Sequence, residues 1–224
     1  MPTTESAQPL SAQPFGGDLA EARYADLFDR YKQHLGWIGV VIILAGAGTW
    51  FYLRSESIKS ARADAAYQAA LQSVSSGNIP LAQSDLGKAA TRYAGTNGGT
   101  EAAMALAKID YQQNKYQQGI AALGGPASSK GDLEFEARLL MASGYEGLTQ
   151  WPQAAKEYED AAAVARFAAD KESARAMAAR ALQAGGDKAG ATKIWNDLLA
   201  DPKSAFATEA KIRLGELQAA PIKA

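Results

Sequence analysis

The sequence predicts an all-α chain of 224 residues, in which one membrane-length helix near the N-terminus is followed by a solenoid of stacked helix pairs. Three observations predict it. Leu35 to Leu53, LGWIGVVIILAGAGTWFYL, is 19 residues long and carries no charge. Beyond Arg54 alanine is abundant and apolar residues recur with a helical period, without the alternation of strands. That helical text then repeats itself at intervals of 35 to 37 residues.

Residues 1–18 are rich in Pro, Ser, Gln and Gly and hold too little apolar surface to offset the entropy of ordering, which predicts a disordered tail. Residues 19–34 read as an amphipathic juxtamembrane helix. Asp18 is its N-cap, Glu21 the capping-box partner, and Tyr24, Leu27, Phe28, Tyr31 and Leu35 fall on one stripe. The same residues also read as a plain extension of the next helix. Residues 35–53 form the transmembrane helix, about 28 Å long at 1.5 Å per residue, which matches a bilayer core. Trp37 at one end and Trp50 and Tyr52 at the other take the membrane interface, where amphipathic rings prefer to sit. A cleavable signal would need a shorter apolar run and a small-residue cleavage site, whereas Arg54-Ser55-Glu56-Ser57 follows here. Flanking charge leaves orientation open, because Arg23, Arg30 and Lys32 balance Arg54, Lys59 and Arg62.

Composition narrows the chemistry. Net charge is −1, so no basic surface calls for nucleic acid or anionic lipid. There is no cysteine, which removes disulfides, thiolate metal sites and thiol catalysis. The one histidine, His34, lies at the membrane boundary, so neither a Ser-His-Asp triad nor a histidine metal site can be built. The carboxylates are spread along helix faces without motif spacing. The expectation is a chain that is not an enzyme and uses no cofactor and no metal.

Residues 54–217 form the repeat domain, and residues 218–224 a disordered C-terminus. Marks of Gly, Asn or Pro at Ser76-Gly77-Asn78, Asn97-Gly98-Gly99, Gly124-Gly125-Pro126, Gly185-Gly186-Asp187 and Asp201-Pro202 leave room for helices of roughly 12–16 residues between them. A small residue recurs early in each second helix, at Ala82, Gly119, Ala154 and Ala191, with separations of 37, 35 and 37. One turn later stands a large apolar residue: Leu86, Leu123, Tyr158 and Trp195. Each first helix carries its own small residue, at Ala70, Ala107, Ala142 and Ala179. Pro80 and Pro152 mark helix starts, where proline forfeits no hydrogen bond. Antiparallel helices approach closely only where small residues cross, and the large residue then fills the gap toward the next pair. One pair cannot cover its own apolar face, so neighbours stack.

A helix–turn–helix unit of this length and pattern resembles the tetratricopeptide repeat. The best copy is Ala137 to Ala162, with Ala142, Tyr145, Trp151, Ala154, Tyr158 and Ala161 at the pattern positions. The first repeat has Ser73 where a tyrosine is usual, and the second has Gly119 for the crossing alanine and a second helix cut short at Leu123-Gly124-Gly125-Pro126. The resemblance implies a right-handed α-solenoid of about four helix pairs, with Phe206 to Leu217 as a capping helix. It also implies a partner groove lined by first-helix residues: Tyr67, Leu71, Met104, Lys108, Tyr111, Leu139 and Arg180. Such a groove suits an extended or helical polypeptide.

The layout as a whole, from tail through anchor to degenerate repeats, is similar to the bacterial YfgM-like ancillary subunit of the Sec translocon. That resemblance implies a single-pass inner-membrane protein with a periplasmic repeat domain, passing exported chains to chaperones. The alternative is an accessory subunit that stabilises another inner-membrane complex, whether envelope, respiratory or photosynthetic.

Overall fold

A computed structural model describes the backbone of residues 17–129 and 131–219, and side chains from Trp37 onward. Among these residues there are nine α-helices, one short 3-10 turn at Pro126–Ser128 and no strand. They are α1 (Gly17–Ser75), α2 (Ile79–Arg92), α3 (Asn97–Gln112), α4 (Tyr116–Leu123) and α5 (Glu134–Gly147), followed by α6 (Trp151–Val164), α7 (Ala168–Ala184), α8 (Lys188–Ala200) and α9 (Ala207–Gln218). The expected tail falls outside the described residues except for Gly17 and Asp18, which are already helical, and the C-terminal segment does so beyond Ala219. The backbone of residues 19–34 is helical without a break into the apolar run, while the side chains of the expected stripe lie outside the described residues.

The chain divides into two compact units, residues 1–55 and 56–224. In the first, from Trp37 to Leu53, every side chain except Gly39 is exposed, with Trp37 at 73%, Trp50 at 67% and Tyr52 at 64%. Among the described residues one helical stretch, Trp37–Ser75, is long and apolar enough to cross a membrane. Its apolar part is residues 37–53.

The second unit is built of helix pairs: the end of α1 with α2, which share the core of Ala70, Ala82 and Leu86, then α3 with α4, α5 with α6, and α7 with α8, closed by α9. One turn geometry joins the two helices of each pair. Gly77, Asn114, Thr149 and Gly186 have φ of 75, 61, 56 and 84°, the left-handed region that ends a helix. The next amide reaches back five residues each time, Asn78 to Ser73, Lys115 to Asp110, Gln150 to Tyr145 and Asp187 to Leu182, at 3.0, 2.8, 2.9 and 2.9 Å. These are Schellman closures, and they satisfy carbonyls that the helix end leaves open. In the outer pairs the following side chain also caps the second helix: Asn78 accepts from Leu81 N–H and Asp187 from Gly190 N–H. In the inner pairs Lys115 and Gln150 occupy that place and make no side-chain cap bond.

The core sits where the helices cross. Ala70, Ala82, Ala107, Ala142, Ala154, Ala179 and Ala191 are all 0% exposed, and Gly119 is buried. Leu86, Leu123 and Trp195 are fully buried and Tyr158 nearly so. The helix α4 has only eight residues, and the turn at Pro126–Ser128 brings Ala127 into the same core cluster as Leu123.

One mark is not a break. Asn97-Gly98-Gly99 is the first turn of α3, with Thr96 as N-cap accepting the Gly99 N–H at 3.1 Å. A Cβ on Gly98 would stand 2.7 Å from the Ala63 and Asp64 backbone, and one on Gly99 would stand 2.7 Å from the Tyr93 carbonyl carbon. These glycines serve close backbone approach, not chain reversal.

Candidate interaction surface

The seven inner-face candidates come from α1, α3, α5 and α7. Tyr67 and Leu71 are half-buried on α1, and Tyr67 packs against the Ala70–Leu86 core of the first pair. Burial pushes the Tyr67 phenol up, and the Glu101 carboxylate adds to it. Met104 and Tyr111 pack on Ala107, Leu123, Ala127 and Ala137, and Leu139 packs against two core clusters at once. Lys108 is exposed. Arg180 is half-buried and holds Glu209 on α9 in a bidentate pair, at 2.8 and 2.6 Å. Lys108 is therefore the one candidate of the seven that is exposed.

Tyr111 is taken up most completely. Its ring occupies the space a side chain would need at two glycines: a Cβ on Gly119 would lie 2.9 Å from Cδ1 and one on Gly144 2.6 Å from Cζ. Gly119, which departs from the crossing alanine, is thus the residue that fits beneath this ring. Burial drives the Tyr111 phenol well above its usual range, and its hydroxyl finds no partner among the described residues. The Tyr116 ring follows at 5.6 Å, tilted by 37°.

A polar chain crosses the C-terminal pairs. Tyr158 on α6, Glu146 on α5 and Arg180 on α7 lie close enough to act on one another's charge, and Glu209 receives Arg180. Burial raises the Glu146 carboxyl above its ordinary value, partly offset by Tyr158 and Arg180. The Arg180 hydrogen bond holds Glu209 below its ordinary value. Such partly exposed pairs fix geometry more than they add stability. Pattern reading found Arg180 but not its partner, because no repeat spacing links α7 to α9.

Grooves run between successive second helices. The first, about 390 Å³, lies between α2 and α4 over α3 and is lined by Gly87, Ala90, Thr91, Ala103, Ala121 and neighbours, without a charge. The second, about 610 Å³, lies between α6 and α8 over α7 and is lined by Glu159, Lys171, Arg175, Lys193 and Asp197 among others. A third cleft, about 340 Å³, joins the start of α5 to the α6–α7 turn. Among the described residues no group of three or more Asp, Glu or His stands in a metal-holding arrangement.

Residues 26–142, just over half the chain, match the tetratricopeptide repeat-like domain. The chain belongs to the tetratricopeptide repeat-like family. A crystal structure of nearly identical TPR-like repeats, from a candidate kinesin light chain of Podosopora anserina, superposes with a TM-score of 0.50 at 17% identity. It covers 71% of this chain and 91% of that one, and the likeness is one of fold. No curated protein matches the chain. Tetratricopeptide repeat-like domains are protein-interaction modules, and the pairs described above give this member its surfaces for that role.

Proposed function

We propose that this chain is a membrane-anchored polypeptide-binding module of the bacterial inner membrane. It stands beside the Sec translocon in the manner of the YfgM-like subunit, with its repeats in the periplasm, and passes exported chains to chaperones. The observation that carries the anchor is the unburied apolar run of residues 37–53. In water a continuous apolar surface of that kind drives association, whereas a hydrocarbon core about 30 Å thick accommodates it. The family membership supports polypeptides as the partners.

A second reading, an accessory subunit that stabilises another inner-membrane complex, has its own support. Tyr111 and Leu139 are occupied by packing and Arg180 by Glu209, which leaves the inner face few free groups for transient recognition. Gentle detergent extraction separates the two. Many substoichiometric exported polypeptides in the copurified material favour the first reading, and one stoichiometric neighbour favours the second. The chain has no cysteine, so Lys203→Cys, in the exposed α8–α9 loop, gives a unique label. Labelling from outside intact spheroplasts is expected; labelling only after lysis would reverse the topology.

A further inference from the structure

We propose that the cleft between the start of α5 and the α6–α7 turn docks a cationic polypeptide segment in which a Lys or Arg stands within a few residues of a large apolar side chain. The inference rests on the interaction-module reading and gives a partner class to a surface other than the inner face.

Its floor is apolar and open. Phe135 is half-buried, Val164 is 37% exposed and Phe167 is 69% exposed. Phe167 occupies the N-cap of α7 with extended backbone, φ −111° and ψ 144°, and makes no side-chain cap bond. Ser, Asp or Asn at that place would satisfy an open N–H of the helix. The chain instead forgoes the cap and leaves a benzyl group in water. Two local preferences are broken at one residue, and no packing among the described residues accounts for it. Positions that break local rules without structural gain are where binding surfaces are expected.

Its rim is acidic. Asp132, Glu134, Glu136 and Asp170 line the cleft against a single guanidinium, Arg166. Arg166 pairs with Asp132, and Glu134 is held by Arg138 at 3.0 Å. Glu136 and Asp170 have no ion-pair partner among the described residues, which do not include the neighbouring Lys130. The groove over α3 has no charge, and that over α7 balances Glu159, Asp187 and Asp197 with Lys171, Arg175 and Lys193. Neither carries such a surplus. Unpaired carboxylates around exposed phenyl and isopropyl groups complement a cation flanked by apolar side chains, and they repel an acidic segment.

The test uses the full chain in phosphatidylcholine nanodiscs, with empty nanodiscs as the blank. The probe is a fluorescein-labelled ten-residue peptide holding three lysines and three Phe or Leu residues. Sister peptides replace the lysines by glutamate or the apolar residues by serine. Anisotropy should report saturable binding of the first peptide and loss of binding for both sisters. Phe167→Ser should weaken it about tenfold. Glu136→Gln combined with Asp170→Asn should weaken it about three- to tenfold and flatten its salt dependence. Phe167 and Glu136 are exposed and Asp170 is half-buried in the first turn of α7, so melting curves are recorded for both variants, and unchanged curves identify the loss as one of binding. Equal binding of the glutamate peptide, or indifference to both variants, would overturn the assignment. So would self-association abolished by Phe167→Ser without peptide binding, which would make a second copy the occupant. A chain that still copurifies with exported polypeptides but ignores the peptide overturns the cleft and leaves the proposed function standing.

Discussion

The groove over α3 and the groove over α7 are the same piece of backbone, two repeats apart, with different side chains. Gly87, Ala90, Thr91, Gly99, Ala103, Ala121, Ala122 and Gly125 in the first correspond, 72 residues on, to Glu159, Ala162, Ala163, Lys171, Arg175, Lys193, Ile194 and Asp197 in the second. Five positions that are Gly or Ala in the first are charged in the second. In the second, Arg175 and Asp197 close on each other at 2.6 Å. The same asymmetry runs through the core, where the first two pairs are filled by Leu86 and Leu123 and the last two by Tyr158 and Trp195. A repeat fixes where a surface lies; the substitutions on it, and the length of the helices beside it, decide its size and what it can hold. Duplicated architecture thus supplies several distinct docking faces without any change of fold.

The largest expected effects compare the two halves at their fillers. Trp195→Ala should cost about 3–5 kcal/mol and Leu86→Ala about 2–5 kcal/mol. Because repeats contact only their neighbours, hydrogen exchange should rise in α7–α9 for the first variant and in α1–α3 for the second. Uniform loss of protection throughout the repeats in both variants would show that the halves are one cooperative block.

Next come the turns. Thr149 is a β-branched residue at φ 56°, where Gly186 in the next pair sits at 84°. Thr149→Gly should raise stability by about 1 kcal/mol, and Gly186→Thr should lower it by a similar amount. Thermal melts check both, and a loss on Thr149→Gly would contradict the turn assignment. The carboxyl of Glu146 supplies a pH-dependent comparison. Its folded value is raised by burial, so its protonated form favours the fold, and that contribution fades as pH rises through the raised value. Glu146→Gln should therefore melt above the parent at pH 7, and the difference should vanish below the ordinary value of 4.5. A difference that persists in acid would point to packing instead of charge. The smallest effect is expected from moving charge between grooves. Ala121→Lys with Gly125→Asp, both exposed, should change stability by no more than about 0.5 kcal/mol while giving the first groove two of the charges of the second.

How far the sequence discloses this molecule depends on what kind of signal carries each feature. The helix pairs were legible because crossing requires a small residue and the next turn a large one, at fixed spacing. The turns at Gly77 and Gly186 were legible because glycine announces them. Those at Asn114 and Thr149 have the same geometry and hydrogen bonds without a glycine: a lone Asn is a weak signal, and a β-branched Thr is none. Conversely, Gly98-Gly99 looked like a turn and is a close helix contact. The inner face was the least legible part. Repeat register places Tyr111, Leu139 and Arg180 there, but whether a side chain is free depends on neighbours far away in sequence, such as Gly144 beneath Tyr111 and Glu209 across from Arg180. Phe167 carried no periodic signal, and its importance emerges only from its exposure at a helix cap.

One measurement bears most directly on the reading of this chain as an anchored module that grips other polypeptides. A photoreactive residue in place of the exposed Lys108, activated in intact cells expressing the full chain, reports what touches the repeats. The expected result is a set of polypeptide adducts in the membrane fraction, absent when the residue is placed at the buried Ala107. A chain that is folded and abundant yet yields no polypeptide adduct, or is recovered free of membranes, would contradict it.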